Sequence, residues 1–403
     1  MALMVGFFAV FERFLRRVTG QPFAAVVGAG CAAIPLALMA TSGVELALTV
    51  FAAAMVLDVL TRKPLAEQRM KDAAVVGLLG AFLVLSRLDA VMLAPGLVMA
   101  VAPRWDWKRW AAAAAGASPV VVYLAFNRLI FGHIGTTSMA AKSLGVYWPP
   151  NWHFLAVEKP IPGMEILAVL AAALVVIVLR RSDNADLRRI AVALAVAPLL
   201  QLGAQALFSG WMLFPWYFYF IVMTLGLAAA LVVARFGTVS RRVAIPLSLG
   251  AAAITAAGVV YGVTPEKHQV QIATMARQLQ SFSEDRPGVY AMGDAAGVPG
   301  WLIHQPIVQL EGLMMSHDFV DRVRNRQPLE RVFRDYHVDY YVAVWSEDIG
   351  NGCRHLVEPA TLQSSPRAPH MEMTTCARPV EVIQSAIYQA RVYRVDRNTG
   401  EVI

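Results

Sequence analysis

Long apolar runs separated by short basic clusters occupy the first two thirds of the chain. They cover Phe23 to Thr41, Val44 to Leu60, Ala111 to Phe131, Gly163 to Leu179, Ile190 to Phe208, Phe214 to Ala234 and Val243 to Val263. None alternates as a half-buried strand would, and each approaches the length that carries a helix across a hydrocarbon core of roughly 30 Å at about 1.5 Å per residue. The pattern predicts seven spans. Arg128 interrupts the third, but it lies within a turn of that span's end, where a long side chain reaches the interface. The opening run, Ala2 to Phe11, makes only about 15 Å of helix, half of such a core. Its basic cluster, Arg13, Arg16 and Arg17, follows the apolar run and does not precede it as in a secretory signal. The run reads as a partial N-terminal helix.

Ala73 to Pro103 is a further apolar run, broken only by Arg87 and Asp89. It would form about 46 Å of helix, too long for one simple span, while either half alone is too short to cross untilted. Basic clusters flank it at Arg62 to Lys71 and Arg104 to Arg109, and the positive-inside rule puts both on one side. The run must go out and return as a short hairpin folding back at Ser86 to Asp89. Counting its two arms, the pattern predicts nine membrane segments. The other basic clusters, Arg13 to Arg17, Arg180 to Arg189 and Arg235 to Arg242, also fall inside. The apices Thr41 to Val44 and Ser209 to Leu213, the loop Gly132 to Pro162 and everything after Thr264 then face outside.

Beyond Thr264 the pattern turns mixed. Gln269 to Phe282 is periodic, Gly288 to Met292 extended, Phe319 to Tyr336 helical, and Val338 to Val344 and Ala390 to Val395 extended. The reading is a polytopic α-helical membrane domain, 1–263, followed by an extracytoplasmic α/β domain, 264–403. Composition agrees, since 57% of the 403 residues are hydrophobic and 16% charged, which excludes an ordinary soluble protein. Cys353 and Cys376 both fall in the exported part, where a disulfide can form.

Charge inside apolar sequence directs attention to chemistry. A charge at mid-membrane costs about 2.5 to 3.5 kcal/mol on an insertion scale, so Arg87 and Asp89 imply either a polar cavity for an anionic substrate or an ion pair that closes the hairpin. Glu45 stands three residues after Ser42, the spacing of a capping box, so it serves either as a helix cap or as a site carboxylate. Lys142 lies in an outer loop with His133, Thr136, Thr137, Ser138, Tyr147, Trp148 and Trp152, a mixture suited to sugar phosphate or to interface anchoring. Trp211, Trp216, Tyr217 and Tyr219 at a later apex can stack on a sugar or isoprenoid, or anchor the interface. Asp294, with Gly293, Gly297 and Gly300, falls at a strand-to-helix turn, which is either structural or helps to hold an acceptor glycan. The eight histidines show no H-x-x-x-H spacing, and no P-loop, G-x-S-x-G or dinucleotide fingerprint is present.

In order along the chain, TSGVELAL, LSRLDAVMLAP, YLAFNRLIFGHIGTTSMAAKS, PWYFYF and GVYAMGDAAGVPGWLIHQPIVQLEGLMMSHDFV resemble the GT-C superfamily of membrane glycosyltransferases that use polyprenyl-phosphate sugars, including arabinofuranosyl- and mannosyl-transferases. The resemblance spans nearly the whole chain and rests on order and topology. It implies a polyprenyl-phosphate-linked sugar donor, a cell-envelope glycan or lipid acceptor, a lipid bilayer around the helices, a bacterial-type inner membrane, and no nucleic acid partner. It also implies an acidic base for the acceptor hydroxyl, and cations or a divalent metal for the departing phosphate. That base belongs in a first outer loop after the first span, and the sequence reads as lacking this loop and the spans before it. Where the family often has Pro-Asn in the outer-loop motif, this chain has Gly135-Thr136. Two other functions compete: a non-catalytic glycan-binding partner, and a transporter of lipid-linked sugars, which would show interrupted helices in both halves.

Overall fold

The computed structural model describes residues 2–40, 44–143, 145–151, 164–180, 182–211, 213–236, 266–360, 367–386 and 388–403. The expected span Val243 to Val263, the apex residues Thr41 to Gly43, the basic cluster beyond Phe236, and Trp152 lie outside them. Two compact units make up the chain: Met1–Phe131 with Glu158–Gln205 and Leu213–Val263, and Gly132–Val157 with Ala206–Met212 and Thr264–Ile403.

The first unit is helical. Its helices are α1 (Ala2–Thr19), α2 (Pro22–Met39), α3 (Val44–Thr61), α4 (Met70–Ser86), α5 (Ala94–Val101), α6 (Trp107–Gly116) and α7 (Ser118–Phe131). After the short helix α8 (Thr137–Lys142), which belongs to the second unit, come α9 (Met164–Leu179), α10 (Ala185–Phe208) and α11 (Tyr219–Phe236). Among the described residues three helices are long and apolar enough to cross a membrane: Pro22–Met39, Ala185–Phe208 and Trp216–Arg235. The pair α6 and α7 would make a fourth, but it is bent by 50°, so the straight span expected over Ala111 to Phe131 is broken. The bend follows Gly116, where helix propensity is weak, and precedes Pro119, whose ring opposes a continuous helix.

α1 does not stop with the apolar run but continues through Arg13, Arg16 and Arg17: Asp58 near the end of α3 receives Arg13 and Arg17, and Arg16 pairs with Glu12 one turn back. The Asp58 carboxylate is fully buried and lies 2.8 Å from Arg17 Nη1, 3.5 Å from Arg13 Nε and 2.6 Å from Arg62 Nη2. α2 and α11 cross closely, and a Cβ on Gly28 would come within 2.4 Å of the Gly226 carbonyl oxygen. Glycine at both positions is what lets the two backbones meet, the small-residue packing that apolar helices use in place of a hydrophobic driving force. α7 and α9 leave Val121, Leu129, Ile166 and Ile177 more than half exposed.

The second unit contains α8, α12 (Glu266–Glu284), β1 (Tyr290–Met292), α13 (Gly297–Leu302), β2 (Ile307–Gln309), α14 (His317–Arg324), α15 (Leu329–Asp335), β3 (Tyr340–Ala343), β4 (Glu347–Gly350), β5 (Cys353–Glu358), β6 (Met371–Thr375), β7 (Glu381–Gln384) and β8 (Gln389–Arg394). The main sheet runs β2-β1-β3-β8-β7, with β1 parallel to both β2 and β3 and with β8 and β7 antiparallel. Alternation along β3 sends Tyr341 and Ala343 into a core with Phe319, Phe333 and Leu356, and Tyr340 and Val342 into another with Met275, Leu279 and Val392. The single helix expected over Phe319 to Tyr336 is two helices, because Pro328 fixes an extended turn between them. A second sheet, β4-β5-β6, is closed by a disulfide between Cys353 and Cys376. The stretches 132–143 and 145–151 pack in this unit: Trp211 Nε1 donates to the Ala141 carbonyl, Gly210 N to that of Lys142, and Tyr147 N to that of Leu207.

Candidate functional site

At Ser86 to Asp89, where the sequence places the fold-back of a hairpin, the helix is interrupted at Arg87. α4 ends at Ser86, Arg87 is extended (φ −155°, ψ 120°), and a 3-10 turn over Leu88–Leu93 leads into α5. Breaking the helix here frees the Arg87 side chain to lie among apolar helices with only 8% of its surface exposed. Its Nε donates to Asp89 Oδ1 at 3.0 Å, and its Nη1 lies 3.5 Å from Glu45 Oε1. The guanidinium carbon sits 4.9 Å from the centre of the Tyr217 ring and 5.7 Å from that of Tyr219, a cation held between two aromatic rings.

Asp89 is almost fully occupied. Besides Arg87 it accepts from Gln201 Nε2 at 2.6 Å and from Tyr219 Oη at 3.3 Å through Oδ2. Glu45, in the first turn of α3, is different: its side chain is 51% exposed. The Ser42 half of its expected capping box lies outside the described residues. One guanidinium therefore faces two carboxyl groups, and a phosphate would have to displace or outbid one of them to reach Arg87. What the cluster offers more directly is an exposed carboxylate on a guanidinium that lies over the partly exposed Tyr217 ring, a hydrogen-bond acceptor and an apolar face that suit a sugar hydroxyl and its C–H surface. Trp216 stacks on Phe214, with ring centres 4.6 Å apart.

Of the residues singled out in the sequence, Glu45, Arg87, Asp89 and Tyr217 come together in the first unit. Lys142 and Asp294 belong to the second. Lys142 ends α8 and acts electrostatically on Glu311, while Asp294 follows β1 in the expected strand-to-helix turn and accepts from Trp345 Nε1 at 2.9 Å. Among the described residues no group of His, Cys, Asp or Glu is arranged to hold a metal ion. Tyr219, expected as a stacking or anchoring ring, instead donates its hydroxyl to Asp89, and Gln201 is the partner that the sequence reading missed. Gln201 carried a signal, being a polar side chain inside the apolar run Ile190 to Phe208, buried at 3% exposure. Glu311 lies within the Leu-Glu-Gly-Leu turn and Glu358 at the end of β5, and neither spacing marked it.

Comparison with known proteins finds no family model that matches the chain and no curated protein that matches it.

Proposed function

We propose that this chain is a membrane-embedded glycosyltransferase of the GT-C kind, handling a sugar carried on a polyprenyl phosphate and passing it to a cell-envelope glycan or lipid. The observation that carries the reading is the Arg87 cluster: Glu45, half exposed, lies 3.5 Å from a guanidinium flanked by Tyr217 and Tyr219, within a unit of apolar helices. Three helices of membrane-crossing length, apolar side chains left exposed on α7 and α9, and the basic clusters between helices favour a multi-pass arrangement in an inner membrane. The Cys353–Cys376 disulfide favours an oxidising, extracytoplasmic setting for the second unit.

In this reading Glu45 accepts a hydrogen bond from a sugar hydroxyl, the partly exposed Tyr217 carries the sugar's apolar face, the buried Tyr219 backs Arg87, and Asp89 holds Arg87 in place without touching substrate. Transfer breaks the bond between the anomeric carbon and the lipid phosphate and forms one to the acceptor oxygen, whose proton passes to a carboxylate. A second reading, a glycan-binding subunit without catalysis, draws on the three hydrogen bonds that Asp89 accepts from Arg87, Gln201 and Tyr219, which commit it to holding the cluster together. The two separate when purified full-length protein in nanodiscs is given a panel of labelled polyprenyl-phosphate sugars and cell-envelope glycan. Label moving to the glycan supports the enzyme, binding without movement supports the partner, and absence of both rejects each.

A further inference from the structure

The carboxyl end of the parallel strands in the second unit gathers three acids that sugar handling by the first unit does not use. Asp294 follows β1, Glu311 follows β2, and Glu358 closes β5. Glu311 is 8% exposed and Glu358 3%. Tyr341 Oη donates to Glu358 Oε1 at 2.9 Å, but Glu358 Oε2 is buried without any hydrogen-bond partner. That oxygen lies against the main chain of Gly293, where a Cβ would fall 1.8 Å from it, so only glycine there admits the carboxyl group. The Leu313 amide N–H binds Gln309 Oε1 at 2.9 Å, fixing the amide so that its NH2 faces Glu311.

An ionised carboxylate wants several donors, and a bare negative oxygen away from water costs far more than a bare neutral hydroxyl. Glu358 has one donor, Glu311 has the Gln309 amide, and Asp294 has the Trp345 indole. Among the described residues, the charged and titratable groups that act on the three are Lys142 from α8, Tyr341 from β3 and Tyr388 ahead of β8, of which the lysine brings positive charge. We propose that Glu311 and Glu358, packed beside Asp294, form a proton-holding site that locks the loops at the carboxyl end of the sheet, and that losing its protons loosens those loops. This stands on the second unit alone and does not depend on the glycosyltransferase reading.

The titration behaviour agrees. Burial, with Asp294 and Glu358 adding repulsion, pushes the Glu311 carboxyl up to about 9. Burial also raises Glu358 to about 8, with the Tyr341 hydrogen bond pulling the other way and Asp294 adding to the rise. For carboxyls raised on folding, the stabilisation is complete below their unfolded values, near 4.5, and is lost as pH climbs through the range up to about 8 and 9. The second unit is therefore tightest in mild acid and opens toward alkali.

Hydrogen exchange on the full-length protein, read at peptides covering 288–313 and 353–360 and corrected for intrinsic rates, tests this. The wild-type opening constant should rise by up to about tenfold per pH unit for each proton released between about pH 5 and pH 8, and Glu358→Gln should flatten that rise. Infrared spectra at neutral pH should show a neutral carboxylic-acid carbonyl stretch that weakens in Glu311→Gln and in Glu358→Gln. If a variant fails to fold, the wild-type spectrum and exchange profile decide. A pH-independent opening constant, or no neutral-acid band at neutral pH, overturns the proposal.

Discussion

Arg87 is bound on every side, and its neighbours differ in what they would lose without it. Asp89 keeps Gln201 and Tyr219, whereas Glu45 has Arg87 as its ion-pair partner. Asp89→Ala removes the carboxylate that three side chains share, so the folded state should lose about 3 kcal/mol, seen as a lowered midpoint in thermal unfolding of the detergent-solubilised protein. An unchanged midpoint would mean that the network is not closed as described. Glu45→Gln keeps shape and removes charge from an exposed group, so unfolding should shift little while affinity for a lipid-linked sugar falls about tenfold, the value of one charge-assisted hydrogen bond. A variant that binds labelled polyprenyl-phosphate sugar as wild type does would take Glu45 out of the site. Arg87 and Asp89 were visible in the sequence because charge stands out in an apolar run; Gln201 was harder to see because one amide in a long helix has many bland uses.

At the level of elements, the helices follow runs of sequence that leave little alternative, and α2, α3, α9, α10 and α11 lie close to the expected apolar stretches. The short strands were less legible. β2 and β4 are three and four residues long, and β4 is exposed throughout, so neither shows the alternation that identifies a strand. The bend between α6 and α7 escaped because hydropathy is continuous across it, though Gly116 and Pro119 mark it in hindsight. Gly226→Leu should push α11 away from α2 and lower the unfolding midpoint, while Gly30→Ala, where nothing lies within 4 Å, should leave it unchanged. Equal midpoints in the two variants would contradict the crossing. Cys353→Ser with Cys376→Ser opens a loop of 23 positions and should cost the second unit about 2 to 4 kcal/mol, read as faster proteolysis within that unit; wild-type resistance in the double variant would argue that the bond carries no stability.

For the whole molecule, the apolar runs predict apolar helices, and three of the described helices are long and apolar enough to cross a membrane, while the division of the chain does not follow the single boundary near Thr264. Residues 132–143, 145–151 and 206–211 pack with the C-terminal part, because their main-chain groups pair with one another and α8 joins the core of Phe319 and Phe333. Sequence order alone does not show such a return. The proposed orientation predicts that single cysteines at Ser182 and Thr399 react from opposite sides of intact cells, the first only after permeabilisation; labelling of both from outside would reject it. The central claim is that the Arg87 cluster serves a lipid-linked sugar, and its most direct test is transfer of labelled sugar from a polyprenyl-phosphate donor by full-length wild type and by Arg87→Ala of verified fold. The account predicts transfer by the wild type and its loss in the variant. Wild-type transfer by a folded Arg87→Ala protein would contradict it.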